Sequence, residues 1–203
     1  MEALLKVVLA SGSLARRTML EAAGVAFVVV PARVDEAALK DEFIRHTTSA
    51  PAVDLARYLA VAKALDVSAR HRGALVIGSD QVLAMGERLL TKAADIEGAR
   101  HTLMALRGQT HQLHSAVAIA LDGKVVWNTL DTASLTMRAF SDAFLDGYLD
   151  VAGDGLVRSV GCYELEGRGL QLFERIDGDY FTILGMPLLP VLAELRKRGA
   201  LLT

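Results

Sequence analysis

Two polar clusters, each closing a run of apolar residues, carry the chemistry this sequence can offer. The first is Ser11-Gly12-Ser13-Leu14-Ala15-Arg16-Arg17, which follows Lys6-Val7-Val8-Leu9-Ala10. Ser11 and Ser13 bring hydroxyls and loop amides to the start of an expected helix, where free N–H groups and a partial positive charge favour anions. Arg16 and Arg17 add planar guanidinium forks that match phosphate. The second cluster is Ser79-Asp80-Gln81, which follows Ala74-Leu75-Val76-Ile77-Gly78. A carboxylate at the end of a buried strand is costly unless it meets a metal, a cation or backbone amides. Each cluster also has a plain reading, a capped helix with solvated arginines and a turn aspartate capping local N–H groups. Together they suit a phosphate-bearing ligand beside a metal or an activated water.

Other candidates are weaker one at a time. Glu36 follows an expected strand in Val34-Asp35-Glu36 and alone reads as a surface carboxylate. Lys63 lies in the small-residue stretch Ala60-Val61-Ala62-Lys63-Ala64, where a lysine commonly snorkels to water. Lys92, after Leu89-Leu90-Thr91, could reach a phosphate from a loop. Glu166 stands in Glu164-Leu165-Glu166-Gly167-Arg168-Gly169, a glycine-flanked loop that suits either a ligand contact or a polar surface. His111 and His114 fall on opposite faces of an expected strand and make no metal pair. Glu97 and His101 read as a surface pair on a helix. Neither G-x-x-x-x-G-K-[ST] nor G-x-G-x-x-G occurs, so the usual triphosphate loop and dinucleotide turn are excluded.

The elements that must position these groups alternate in the first half. Strands are expected at 5–10, 25–30 and 74–78, with helices at 14–23, 35–46 and 52–69. Thr47-Thr48-Ser49-Ala50-Pro51 reads as a break. Gly24 stops the first helix and Pro31 the second strand. Hairpins dominate the second half, one from 81–84 to 89–90 and one across Asp122-Gly123. Helices follow at 95–106, at 142–150 after the N-cap Ser141, and from Pro187 to Arg198. Residues 154–170 read as irregular, and strands are expected at 171–176 and 180–184 around Asp177-Gly178-Asp179. This pattern predicts an α/β protein with a mixed sheet.

The 203 residues are 52% hydrophobic and 23% charged, enough for an ample core. A net charge of −2 gives no general pull toward nucleic acid or an anionic membrane, so any polyanion site must be local. The single cysteine, Cys162, excludes an intrachain disulfide and fits a reducing compartment as a core residue. No stretch has the length of a membrane span, and residues 1–6 are too short and acidic for a signal peptide. A soluble, cytoplasmic protein is expected.

In register, these residues resemble the Maf family of nucleoside triphosphate pyrophosphatases. The opening motif is Leu9-Ala10-Ser11-Gly12-Ser13-x-x-Arg16-Arg17-x-x-Leu20. Asp35-Glu36, Lys63, Ile77-Gly78-Ser79-Asp80-Gln81-Val82 and Lys92 follow in order. So do Leu106-x-Gly108-x-x-His111, Tyr148, Glu166-Gly167-x-Gly169 and Gly185-x-Pro187-Leu188. The match runs from about residue 5 to about 195, and the whole chain reads as one such domain. The resemblance implies an elongated two-lobed α/β fold around a central mixed sheet, related to the inosine triphosphate pyrophosphatase architecture, with a cleft between the lobes and a homodimeric assembly. It implies cleavage of a nucleoside triphosphate between the α- and β-phosphates, with a divalent cation such as Mg, Mn or Co. By position, Ser11, Ser13 and Arg16 belong to the phosphate loop, and Lys63 and Lys92 contact phosphates. Glu36 and Asp80 hold the metal, and Asp80 is the base that activates water. Gln81 and Glu166 resemble the 7-methyl-GTP subfamily, because a carboxylate can accept the N1–H and exocyclic amine of a cationic guanine together. Leu14 and Ala93 stand where the family usually has proline, and Ala15 where this subfamily has a large aromatic. The alternatives are a dTTP/UTP pyrophosphatase of the same family and a non-catalytic regulator of septum formation.

Overall fold

The computed structural model describes residues 4–47 and 52–202. One seven-stranded mixed sheet organises them. Strand β1 (Lys6–Leu9) lies between β2 (Phe27–Val29) and β3 (Ala74–Met85), parallel to both. The order continues antiparallel through β5 (Thr110–Leu121), β6 (Lys124–Met137) and β7 (Phe173–Asp177), while β4 (Arg88–Leu90) pairs with the end of β3. The β5–β6 hairpin turns at Asp122 (φ 51°) and Gly123 (φ 78°), the left-handed pair that a two-residue hairpin requires.

Helix α1 (Leu14–Ala22) connects β1 to β2; α2 (Glu36–His46) and α3 (Ala52–Ser68) connect β2 to β3. Alternation along β3 and β5 sorts the core. Val82, Ala84, Ala116, Ala118 and Ala120 face α3. Leu75, Ile77, Val117 and Ile119 pack with α1 and α7 (Leu188–Lys197). Farther along that second face, Leu83, Leu113 and Leu135 pack with α4 (Ile96–Leu106) and α5 (Asp142–Ala152). Between these two apolar cores the same face carries Ser79, Gln81 and Ser115, beneath the one-turn helix α6 (Tyr180–Ile183).

Helix α3 lies close to the sheet because both surfaces are small. Ala52, Ala56, Ala60 and Ala64 are buried against the β5 alanines. At Gly78 a Cβ would stand 2.3 Å from the Ala60 carbonyl oxygen and 2.5 Å from the Ala64 amide nitrogen. Only glycine admits this approach.

The expected helices over 14–23, 35–46, 52–69, 95–106 and 142–150 are all present within a residue or two. Of the expected break, Thr47 caps the end of α2, and 48–51 lie outside the described residues. Two expectations change. The strand expected to stop at residue 78 runs unbroken to Met85, because β5 pairs with it from Val76 to Ala84 after β1 has ended. Asp80 is therefore inside a strand rather than at its end. Residues 180–183 are helical, not extended, because the Asp179 carboxylate accepts the Thr182 amide at 3.1 Å and caps the turn. The 154–170 region contains two 3₁₀ segments, Gly153–Arg158 and Arg168–Leu172, and β7 begins only at Phe173.

Candidate active site

The site begins at a reversal of direction. The chain leaves β1 through α1 to β2 on one side, then returns from β2 through α2 and α3 to β3 on the other, with α1 on one face of the sheet and α3 on the opposite face. Ligands of open α/β sheets bind outside the carboxyl ends of parallel strands at such a switch point. Here that region is also a gap in the sheet. Strand β1 covers β3 from Ala74 to Ile77 and β4 covers it from Leu83 to Met85, leaving Gly78–Val82 with β5 alone.

Asp80 stands in that gap, pointing toward α3. Its Oδ1 accepts from Lys63 Nζ at 2.6 Å, and the same ammonium lies 2.8 Å from Oε1 of Glu36. The Lys63 and Asp80 side chains are 10% and 9% exposed, whereas that of Glu36 is 50% exposed, so the cluster opens to solvent on the Glu36 side. Lys63 thus does not snorkel: the close seating of α3 buries it between two carboxylates. Burial alone would raise the Glu36 carboxyl, but the Lys63 hydrogen bond and the charges of Lys63, Lys40 and Lys92 outweigh it and leave the group below the usual carboxylate range. Glu36 opens α2 behind the N-cap Asp35, which fixes where its side chain departs.

The Ser11–Arg16 turn closes the other side. Ser13 caps α1, its hydroxyl accepting the Arg16 amide at 3.4 Å, and the Ser11 hydroxyl accepts the Ser13 amide at 3.2 Å. Arg16 is buried. Its Nη1 donates to the Ser79 carbonyl at 3.0 Å and to Ser11 Oγ at 3.2 Å, and its Nε donates to the Gly185 carbonyl at 2.9 Å. Burial lowers its pKa and the charges of Asp80 and Glu36 only partly offset this, yet a guanidinium remains a cation throughout the ordinary pH range. Arg17 faces solvent and pairs with Glu21 at 2.7 Å.

The Maf-like protein family model matches residues 6–198. A 7-methyl-GTP pyrophosphatase of Mesorhizobium japonicum is 50% identical over 97% of this chain and 98% of its own length. A nucleoside triphosphate pyrophosphatase of Paramagnetospirillum magneticum is 53% identical over 95% of this chain and 98% of that one. The chain belongs to the Maf family. Among solved structures, a HAM1 protein from Coxiella burnetii is 18% identical, with a TM-score of 0.41 over 67% of this chain and 74% of that chain.

The Maf motif residues divide into two groups in space. Glu36, Lys63 and Asp80 touch, Arg16 and Ser11 adjoin them, and exposed Lys92 is near enough for its charge to act on Glu36. Gln81 does not join them. As the next residue of the strand it projects from the opposite face, where its Nε2 meets Ser115 Oγ at 2.9 Å and the carbonyls of Thr182 and Ile183 at 3.1 and 3.0 Å. Glu166 is exposed on the turn before Arg168, and no ion pair or hydrogen bond links it to Asp80 among the described residues. Ser115, Thr182 and Asp131 escaped the sequence reading. Their signal was weak: polar residues spaced along strands and a helix whose partners lie far off in the chain. Cys162 is fully buried, as expected of a core thiol, and burial raises it.

Proposed function

We propose that the chain is a metal-dependent nucleoside triphosphate pyrophosphatase that cleaves between the α- and β-phosphates, giving a nucleoside monophosphate and pyrophosphate, with 7-methyl-GTP as the preferred substrate. The observation that carries the reading is the Glu36–Lys63–Asp80 cluster at the switch point, flanked by Arg16 and Lys92. The names of the Mesorhizobium and Paramagnetospirillum relatives support the reaction, and that of the Mesorhizobium relative supports the base.

The carboxylates fit a hard divalent cation such as Mg, Mn or Co. Glu36 and Asp80 already converge on one cation, the Lys63 ammonium, and magnesium-type sites use one or two carboxylates together with substrate phosphates. Among the described residues no larger cluster of His, Cys, Asp or Glu competes for it. When bound, the metal would neutralise phosphate charge and make an attacking water more acidic. The protein's own groups do the rest. Asp80 accepts the proton of the attacking water. Lys63 and Lys92 meet the charge that develops on the phosphate oxygens, and Arg16 adds a third cation from beneath. Ser11, Ser13 and the first amides of α1 hold the phosphate chain in line. The Glu166 carboxylate accepts N1–H and the exocyclic amine of a methylated guanine. On this reading the enzyme is a homodimer in the cytoplasm, where Cys162 stays a thiol.

Pyrophosphate release is to be measured over 7-methyl-GTP, GTP, dTTP and UTP with magnesium, manganese or cobalt, and again after chelation. The expected result is metal-dependent pyrophosphate with 7-methyl-GTP fastest, and no turnover in Asp80→Asn despite retained nucleotide binding. Fastest release from dTTP or UTP reassigns the base, release of orthophosphate reassigns the bond, and silence across the panel leaves a non-catalytic role.

A further inference from the structure

The turn that presents Glu166 is held from below by a polar pair in an otherwise apolar core. The chain enters it through Cys162, which is buried at φ +57°, a conformation uncommon for a residue with a Cβ. Side chains then alternate. Tyr163 is buried, Glu164 exposed, Leu165 half-buried against the core built with α4 and α5, and Glu166 exposed. The Glu164 carbonyl accepts the Gly167 amide at 3.3 Å and closes the turn. At Gly169 a Cβ would stand 2.4 Å from that same carbonyl oxygen, so the chain leaves the turn packed against its own entry. In so tight a loop the inward side chains at 163 and 165 decide where the carboxylate at 166 points, and of the two only Tyr163 makes a bond of fixed direction. Its hydroxyl bonds His111 Nε2 at 2.7 Å, and its ring meets Phe173 edge-on at 4.8 Å. Its amide donates to Ser159 Oγ at 3.1 Å, and that hydroxyl donates back to its carbonyl at 2.9 Å. His111 belongs to β5, opposite Leu135 of β6, so the bond ties the turn to the sheet across 52 residues of sequence.

The core gains little from this pair. His111 Nδ1 is buried with no partner among the described residues, a penalty that two apolar rings of similar shape would avoid. What apolar rings cannot supply is direction. We propose that His111 and Tyr163 are positioning residues for nucleotide selection: their hydrogen bond pins the Glu164–Gly167 turn to β5 and so sets where the Glu166 carboxylate meets the base. The proposal rests on the pyrophosphatase reading, in which Glu166 accepts the paired N–H donors of guanine, and both rings act through Glu166. Its consequence is selective. A loosened turn weakens the hold on guanine nucleotides, which present N1–H beside an exocyclic amine, and leaves pyrimidine nucleotides, which lack that pair, as they were. A general loss of structure would slow all of them alike.

The test measures pyrophosphate release from 7-methyl-GTP, GTP, dTTP and UTP by Tyr163→Phe, by His111→Phe with Tyr163→Phe, and by both in the Glu166→Ala background. Tyr163→Phe is expected to raise KM for the two guanine nucleotides about 5- to 10-fold, the worth of one hydrogen bond, with kcat and both pyrimidine constants within about twofold. The double variant packs two rings without an orphaned nitrogen. It is expected to be at least as stable in urea as Tyr163→Phe and to show the same guanine defect, which separates selection from folding. Where Glu166 is already alanine, neither change is expected to add to the guanine KM. In the nucleotide-free protein, amide exchange at 164–170 is expected to rise about tenfold in Tyr163→Phe. Equal losses on all four nucleotides, a wild-type guanine KM in Tyr163→Phe, or additivity with Glu166→Ala would overturn the positioning role and leave the pyrophosphatase reading in place. No pyrophosphate from wild type on any nucleotide would strike that reading instead, and exchange at 164–170 would then decide the pin: a rise supports it, no change overturns it.

Discussion

One ammonium group, Lys63 Nζ, answers two carboxylates, buried Asp80 and half-exposed Glu36, and stability there depends on the balance of charge. Removing one partner of a buried ion pair typically costs 3–5 kcal/mol because the remaining charge is stranded, whereas removing both is far milder. Lys63→Met is therefore expected to lower the free energy of unfolding in urea by about 3 kcal/mol, and Lys63→Met with Asp80→Asn to recover most of that loss while remaining inactive. A single variant as stable as wild type would show that the ammonium is dispensable to the fold. His111 makes a second prediction. Its Nε2 bonds the Tyr163 hydroxyl at 2.7 Å, its Nδ1 is buried without a partner, and Tyr163 and Phe173 rings surround it. Burial lowers its pKa to about 4 from 6.5. The unfolded chain thus takes up a proton between pH 6.5 and 4 that the folded chain refuses, so stability falls as pH drops through that window and this contribution levels off below it. The loss amounts to about 3 kcal/mol. His111→Phe is expected to flatten that part of the urea-unfolding pH profile; an unaltered slope would assign the acid sensitivity to other groups. Residue types made the acids and bases visible in the sequence, but their partners were not. Lys63 looked like a snorkelling lysine because nothing local announces that a helix will be seated so close to the sheet.

At the level of elements, that seating depends on the facing alanines and, at its tightest point, on the missing side chain of Gly78. Gly78→Ala drives a methyl into the backbone of Ala60 and Ala64, atoms that cannot rotate away, so α3 must move bodily. Overpacking of this kind costs about 1–3 kcal/mol or more, and the displaced helix carries Lys63 off Asp80. The expected outcome is a lowered melting temperature and a fall in rate larger than the stability loss explains, and an ordinary Tm with ordinary turnover would contradict it. Most helices were legible because caps and breakers are local: Ser13, Asp35, Asp95 and Ser141 each sit at an N-terminus and accept an amide from three residues on. One misreading has a tertiary cause, and the other joins a local cap to tertiary contacts. Polar Ser79-Asp80-Gln81 resembles the end of a strand, yet β5 supplies pairing across it. Tyr180-Phe181-Thr182-Ile183 is rich in strand-forming types, yet the Asp179 cap and the sheet's donors to its carbonyls hold it as a turn of helix.

Across the whole molecule, β3 and β5 each contribute to both apolar cores, one built with α1 and α7 and the other with α4 and α5. No linker separates these cores, so neither has strands of its own. Calorimetry is expected to show a single transition with van't Hoff and calorimetric enthalpies equal; two resolved transitions would mean that the halves fold separately. The mixed sheet was readable from the alternation of helices and strands followed by hairpins, and two lobes came only with the family resemblance; the strands shared between the cores were not readable, since their pairing joins distant residues, Val76 with Ala120 and Ala84 with Gln112. Those shared strands also govern what the protein can do when a nucleotide arrives. Gly78–Val82 floor the site from inside a beam hydrogen-bonded to β5 along its length. A jaw cannot swing about a girder that passes unbroken through both of its halves, so gripping the triphosphate falls to side chains and short loops, and the enclosure around it is set when the chain folds.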